Sequence, residues 1–350
     1  MMSLKLFKTI AIAVILVNLT KAKKNINNIK EDVDKLRSLT SATVELANVT
    51  NWLNEGTRNN IILITPTKLQ QIQEVIHAAR GVGLSIRAGG ATHSASAVLH
   101  PDEGDIFLVM TSLEDTSRDR IIFNEKAKTV NVLASVMLLE LNEFMEQHQV
   151  ALPANAAFAT VTVAGLAATA AHGGFYTEPS VSSYVTGMTL IDGQGYVRHV
   201  NQDEQADILA ACKAHIGLCG IVYDVTLKVV SMEIMESIQV SIPMKKFLDD
   251  EIRKDLVTNY HQLQISWNPF LGHATDDDKE YFQTHGRAPD GWTSEDDLVG
   301  FILSKKLPVN DSEDALNKEA HEYNVTLADG SNYVGTAQYK TLPDSLIAIP

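Results

Sequence analysis

Cysteine is nearly absent: only Cys212 and Cys219 occur in the 350 residues. No CxxC, CxxCH or zinc-spaced pattern exists, so a disulfide-scaffold fold and a cysteine-held metal are excluded. The two could bridge in an oxidising compartment, but they flank Gly217, and the favoured reading is a pair of small buried hydrophobes. Positive charge is also scarce, with 29 Lys and Arg against 43 Asp and Glu for a formal charge of −14. That argues against nucleic acid or an anionic lipid surface as the main partner, since both need clustered cations. Gly81-Val82-Gly83 lacks the third glycine of a dinucleotide fingerprint, position 86 being Ile86, and it falls at the end of a helix rather than the start. There is no Walker A sequence and no GxSxG elbow. His321-Glu322 has no second histidine four residues on, and Asp276-Asp277-Asp278 lacks the alternation of a calcium loop and reads as a solvated turn. The expectation is a protein without a metal site.

Long apolar runs are rare. The one at Thr9 to Leu19 follows Lys5 and Lys8 and precedes the small-residue stretch Thr20-Lys21-Ala22, the order of a secretory signal over residues 1–22. At about 11 residues it falls short of the roughly 20 a bilayer span needs. An uncleaved anchor at residues 9–19, and with it a membrane partner, stays open. The expected location is the secretory pathway, extracellular or periplasmic. Asn48-Val49-Thr50, Asn310-Asp311-Ser312 and Asn324-Val325-Thr326 are glycosylation sequons that matter only on a eukaryotic secretory route.

What remains is a chain with 45% hydrophobic residues, long enough for two domains. Ile26, Ile29, Val33 and Leu36 recur at helical spacing and mark a lead-in helix within residues 23–54. Ile61 to Ile64 reads as a buried strand, Thr67-Lys68-Leu69-Gln70 as a capping box, and Leu69, Ile72, Ile76 and Ala79 as one helical face ended by Gly81. Leu84 to Arg87 completes a βαβ unit. Asp105 to Thr111 and Thr129 to Leu133 are further strands, and Val136 to Gln149 is a helix with Leu138, Leu141 and Met145 inward. Tyr184 to Ile191 and Tyr196 to Val200 form a hairpin about Asp192-Gly193-Gln194-Gly195. Asp203 to Ala214 is helical and Ile221 to Val230 a strand.

Three small-residue segments carry chemistry. Arg87-Ala88-Gly89-Gly90-Ala91-Thr92-His93-Ser94 follows the second strand. Its glycines let backbone approach a ligand, and successive N–H groups in such a turn form a nest for phosphate oxygens. Ala159 to Gly174 is small at almost every position, which suits either a tightly packed helix or a wall against which a large planar ligand lies. Gly217-Leu218-Cys219-Gly220 opens the last strand.

Together these residues carry a resemblance. Trp52 to Val230 resembles the FAD-binding domain of the p-cresol methylhydroxylase/vanillyl-alcohol oxidase (PCMH-type) superfamily, and within it the aldonolactone and alditol oxidase branch. Arg87–Ser94 resembles the R-x-x-G-x-G-H-S pyrophosphate loop. Thr160-Val161-Thr162-Val163-Ala164-Gly165, running to His172-Gly173, resembles the second FAD segment. Ile216 to Val222 resembles the L-G-x-L-G-x-I/V segment beside the adenine.

The resemblance implies an α+β fold: a PCMH-type FAD-binding domain of two α/β subdomains over 55–231, then an incomplete antiparallel-sheet substrate (cap) domain over 232–350. It implies FAD as cofactor, with contacts from Arg87, Gly89, Gly90, Ala91, Thr92, His93 and Ser94. Further contacts are implied from Thr160, Val161, Gly165, Ala168, Thr169, His172, Gly173, Gly217, Gly220, Ile221 and Val222. His93 matches the histidine that many members attach to the flavin 8α-methyl, a role that suits a neutral imidazole; a non-covalent loop histidine is the alternative. Thr92 departs from the branch, which has glycine there.

The implied activity is oxidation of a hydroxyl on a sugar lactone or polyol by hydride transfer to flavin N5, with dioxygen as acceptor. Alternatives are an oxidase for an oligosaccharide or aromatic alcohol, or a non-catalytic flavin-binding protein. No catalytic base is identified. Gln264-Ile265-Ser266-Trp267-Asn268-Pro269-Phe270 resembles a substrate-domain strand of the branch, or is simply core. Members continue beyond the position matching Ser345–Pro350 with a histidine- and lysine-bearing stretch, so the substrate domain is expected to be truncated.

Overall fold

The computed structural model describes residues 25–54, 56–96, 100–267, 275–308 and 315–343. The proposed signal or anchor, Asn268-Pro269-Phe270, the sequon at Asn310 and Ser345–Pro350 lie outside them. The chain divides into two compact units: residues up to Arg118 with Ile191–Arg198, and Asp119–Leu190 with everything from His199 on.

In the first unit, helix α1 spans Ile26–Leu39 and starts where Asn25 caps Asn27 N–H. Ile29, Val33 and Leu36 are buried on one face, as their spacing predicts. Strand β1 (Thr43–Val49) pairs antiparallel with β2 (Arg58–Thr65). Ile61, Ile62 and Ile64 are fully buried in β2, the near-continuous burial of a strand covered on both faces. Helix α2 (Leu69–Val82), β3 (Ile86–Gly89) and β4 (Ile106–Val109) follow, and the sheet order is β1-β2-β4-β3 with β2, β4 and β3 parallel.

Two sequence expectations need correction here. Thr67-Lys68-Leu69-Gln70 does not form a capping box: the N-cap is Lys68, which makes no side-chain cap bond. Thr67 instead donates to Gln71 Oε1, from its N–H at 2.7 Å and its hydroxyl at 3.1 Å. The helix ends at Gly83, not Gly81. Gly83 has φ +73°, the left-handed conformation a glycine C-cap supplies cheaply, and Gly81 is an ordinary helical residue. The following strand starts two residues late for the same reason.

The second unit opens with β5 (Ile121–Asn124), which the hydrophobic pattern does not announce, and β6 (Thr129–Leu133). Helix α3 (Leu138–Gln147) buries Leu138, Leu141 and Met145, and the short β7 (Val150–Ala151) follows. Of the small-residue run only Val163–Ala168 is helical, forming α4. Strands β8 (Val185–Ile191) and β9 (Val197–Asn201) make the hairpin, α5 covers Ala206–Cys212, and β10 (Ile221–Lys228) joins the sheet β5-β6-β10-β8-β9. A two-residue strand β11 (Val230–Ser231) pairs with β7.

Residues 234–341 build the remaining sheet. Its strands are β12 (Ile234–Pro243), β13 (Gln262–Trp267), β14 (Leu298–Lys306), β15 (His321–Thr326) and β16 (Asn332–Thr341), in the antiparallel order β13-β14-β12-β16-β15. Between β12 and β13 come α6 (Met244–Phe247) and α7 (Asp250–Asn259), the latter capped by Asp249. Ile238, Val240, Ile242, Phe301 and Leu303 alternate inward and pack with Ile252 and Leu256 of α7 into one core, the period of two expected of a half-covered sheet. Helix α8 (Asp276–His285) buries no residue, and its Asp276-Asp277-Asp278 is the first turn of a helix rather than a loop. Negative charge there faces the helix N-terminus.

Candidate flavin-binding segments

In the first unit β3 delivers the chain into the Arg87–Ser94 turn. Arg87 is half-buried, Gly89 is buried, and Gly90 to Ser94 are half-buried. Gly89 is small for a reason within the protein, because a Cβ there would stand 2.2 Å from Phe107 Cζ. Thr92 has φ +57°, a conformation open to glycine and strained for a β-branched residue. Replacing it, Thr92→Gly, removes roughly 1–2 kcal/mol of left-handed strain and adds back roughly 0.5–1 kcal/mol of unfolded-state freedom. The variant is expected to be more stable by up to ~1.5 kcal/mol, read as a higher urea midpoint in flavin-free protein. The imidazole of His93 is stacked by the indole of Trp52, with ring centroids 5.4 Å apart and planes 13° from parallel. No motif names Trp52, and nothing in its local pattern links it to His93.

In the second unit Thr160, Val161 and Thr162 run antiparallel to the start of α3. Leu139 N–H donates to Ala159 O (2.9 Å), Leu138 N–H to Val161 O (2.8 Å) and Val163 N–H to Val136 O (3.0 Å). Helix α4 then buries Val163, Ala164, Leu166 and Ala167. In and just after the helix, Gly165, Ala168 and Thr169 are left half-buried or exposed and share one face by their spacing. The chain then turns at Ala170, with φ +54°, and Ala171 and the exposed His172 follow outside the helix. Thr169 turns its hydroxyl back onto Gly165 O at 2.9 Å, leaving its methyl outward.

The third segment meets this one. Ile216 N–H donates to Ala168 O at 3.1 Å, so the Gly217–Gly220 loop sits beside the open strip. Ile216, Gly217 and Gly220 all have positive φ, at +49°, +83° and +120°. Gly217 N–H donates to His215 Nδ1 at 2.8 Å. His215 is 7% exposed, and burial holds its pKa below the ordinary histidine value, which keeps Nδ1 available as an acceptor. Ile221 and Val222 are buried in β10, leaving only their backbone for a ligand.

The cysteines correct the sequence reading. They are not two separate buried hydrophobes: Cys212 and Cys219 form a disulfide with Cα atoms 5.8 Å apart. The turn at Ile216 and Gly217 folds the chain back from the end of α5 to bring them within bridging distance. Gly173 is another packing glycine, since a Cβ would lie 2.1 Å from Asn155 O. Trp267, read as either core or substrate wall, is 46% exposed and donates from Nε1 to Asp297 Oδ2 at 3.2 Å. Among the described residues no cluster of three or more His, Cys, Asp or Glu is placed to hold a metal, and no helix is long and apolar enough to cross a membrane.

The site residues fit a large planar cofactor on their own geometry. One helical face is kept to small side chains and left uncovered, and a positive-φ loop is tied beside it. Comparison with known proteins agrees: residues 61–201 match the family model described as the FAD binding domain. The matched stretch covers the Arg87–Ser94 turn and the α4 segment but not the Gly217–Gly220 loop.

The chain's relatives are sugar-lactone oxidases. L-gulonolactone oxidase of Mus musculus is 26% identical over 202 residues, 57% of this chain and 44% of that one. D-arabinono-1,4-lactone oxidase of Saccharomyces cerevisiae is 24% identical over 221 residues, 63% of this chain and 41% of that one. The chain thus spans less than half the length of these curated relatives. Among solved structures, cholesterol oxidase from B. sterolicum superposes with a TM-score of 0.61 at 15% identity, covering 76% of this chain and 48% of that one. That likeness concerns the fold alone.

Proposed function

We propose that the protein is an FAD-dependent oxidoreductase that oxidises a hydroxyl-bearing carbon of a sugar lactone or polyol, with dioxygen as acceptor. The observation that carries it is the uncovered strip Gly165, Ala168 and Thr169, lying with the nearby His172 in the stretch that matches an FAD binding domain. Both relatives named above are lactone oxidases by name, which sets the substrate class of the proposal. FAD held there would supply an acceptor for a hydride from the carbinol carbon, with dioxygen as the final acceptor of the electron pair.

The chain's own part is to hold and shield that group. In the first unit, backbone N–H groups of the Gly89–Ser94 turn are proposed to bind pyrophosphate oxygens, and His93 to bond to the flavin 8α-carbon. In the second, the α4 strip takes a flat ring at close range and the disulfide-closed Gly217 loop takes the adenine end. The Cys212–Cys219 bridge suits the oxidising compartment that the N-terminal segment would lead to. Secretion is proposed on that ground.

The test is direct. The full chain, expressed with excess riboflavin, is expected to be yellow and to release peroxide on gulono-, galactono- or arabinonolactone, with xylitol as the polyol comparison. Protein that stays colourless and takes up no FAD overturns the proposal. His93→Ala should move flavin from the acid-precipitated pellet to the supernatant. A pellet that stays yellow places the attachment elsewhere.

A further inference from the structure

Trp52 and His93 are brought together by a turn that brackets the histidine. Asn51 is 3% exposed; its Oδ1 accepts from Leu53 N–H at 3.1 Å, and its carbonyl accepts from Asn54 N–H at 2.9 Å. This closed Asn51–Asn54 turn reaches the residues on either side of His93. Trp52 N–H donates to Thr92 O at 3.2 Å, and Asn51 Nδ2 to Ser94 O at 3.5 Å. The indole is nevertheless 48% exposed. Core burial is therefore not what its placement achieves, because a tryptophan stabilises a core through the large area it removes from water.

What the stack does fix is a plane. The lone pair with which an imidazole nitrogen attacks carbon lies in the plane of the ring. Stacking, favourable in an offset parallel arrangement, holds that plane while leaving the ring edge to react. We propose that Trp52 is a positioning residue that orients the His93 imidazole for bond formation to the flavin.

The inference rests on the tether reading of His93. In that step one C–H bond of the 8α-methyl and the imidazole N–H break, and a C–N bond forms. Two protons leave, and the electron pair enters the flavin ring. Dioxygen then removes the pair and takes up two protons as hydrogen peroxide, so the attached flavin ends oxidised. Rotation of the ring out of plane would cost this step its geometry without changing how FAD is held, since orientation acts on the rate and not on reversible binding.

The experiment compares wild type, Trp52→Ala and Trp52→Phe. Each full chain is produced under riboflavin limitation, mixed with FAD in air, and assayed over time for flavin in the acid-precipitated pellet. Trp52→Ala is expected to attach flavin at least about tenfold more slowly. Measured in a His93→Ala background, reversible FAD affinity should change by less than about threefold on the same substitution. Trp52→Phe, which keeps a stacking ring, should recover most of the rate, a rescue that generic loop damage would not show. Equal attachment rates in wild type and Trp52→Ala overturn the inference and leave the tether standing. A wild-type pellet free of flavin overturns the tether and this inference together, and the wild type alone distinguishes that outcome from the first.

Discussion

Gly173→Ala is expected to destabilise the flavin-free protein by about 2–4 kcal/mol, the range of a steric clash that packed surroundings cannot relieve. The new Cβ would stand 2.1 Å from the backbone oxygen of Asn155. Asn155 cannot retreat easily: it is 1% exposed and its amide donates to Asn142 Oδ1 at 3.0 Å. Domain stabilities are commonly only about 5–15 kcal/mol, so this one methyl removes a large share. Gly165→Ala is the contrast. Its Cβ would stand 2.9 Å from the Thr162 hydroxyl oxygen, so that side chain must shift, a cost set against the roughly 1 kcal/mol by which a helix favours alanine over glycine. The loss of stability should be smaller than for Gly173→Ala, because a side chain rather than backbone must give way, while FAD affinity falls as the methyl adds bulk in the α4 segment. Urea titration of the flavin-free variants, followed by FAD binding, separates the two. If Gly173→Ala unfolds at the wild-type midpoint, the packing explanation is wrong.

Opening the Cys212–Cys219 bridge should cost about 2.5 kcal/mol, taking the chain-entropy relation for so short a loop. For units of this size that corresponds to a fall in Tm of roughly 5–10 °C. The loss concentrates in the loop it closes. Ile216 there holds a left-handed backbone, with φ +49°, anchored by its bond to Ala168 O. Without the bridge nothing covalent keeps that strained residue in place, and FAD affinity should weaken alongside Tm. Melting with and without dithiothreitol, with alkylation and mass measurement to count thiols, checks it. Two alkylated thiols at an unchanged Tm would sink the prediction.

These two cases show where sequence reading works and where it stops. Hydrophobic period located α1, β2, β6, α3 and β10 closely, since each buries a face whose spacing is set by its own geometry. Terminal glycines were harder. Gly81 and Gly83 look alike in sequence, and only the φ of +73° at Gly83 tells which one ends α2. β5 escaped because its four residues bury no complete face. The motif glycines were recognisable, yet for two different reasons. Gly165 is half-buried with only a side-chain hydroxyl of Thr162 near its Cβ position, whereas Gly89 and Gly173 are small because Phe107 and the Asn155 backbone press on them. The cysteine pairing depends on two consecutive positive-φ residues, and Trp52 meets His93 only through a tertiary turn. Neither relation leaves a local pattern to read.

The chain just after His172 has one more consequence. Gly174 O accepts from Leu263 N–H at 2.9 Å, and Phe175 pairs with Gln262 in a single bridge, so this segment is tied to the start of β13. The first two residues of that edge strand are covered in this way, and unpaired edges invite pairing with other chains. The Leu263 amide can therefore exchange with solvent only when the stretch beside His172 lets go. Opening of the cofactor segment and exposure of a sticky sheet edge become one event, and whatever holds the His172 segment down also protects the protein from association.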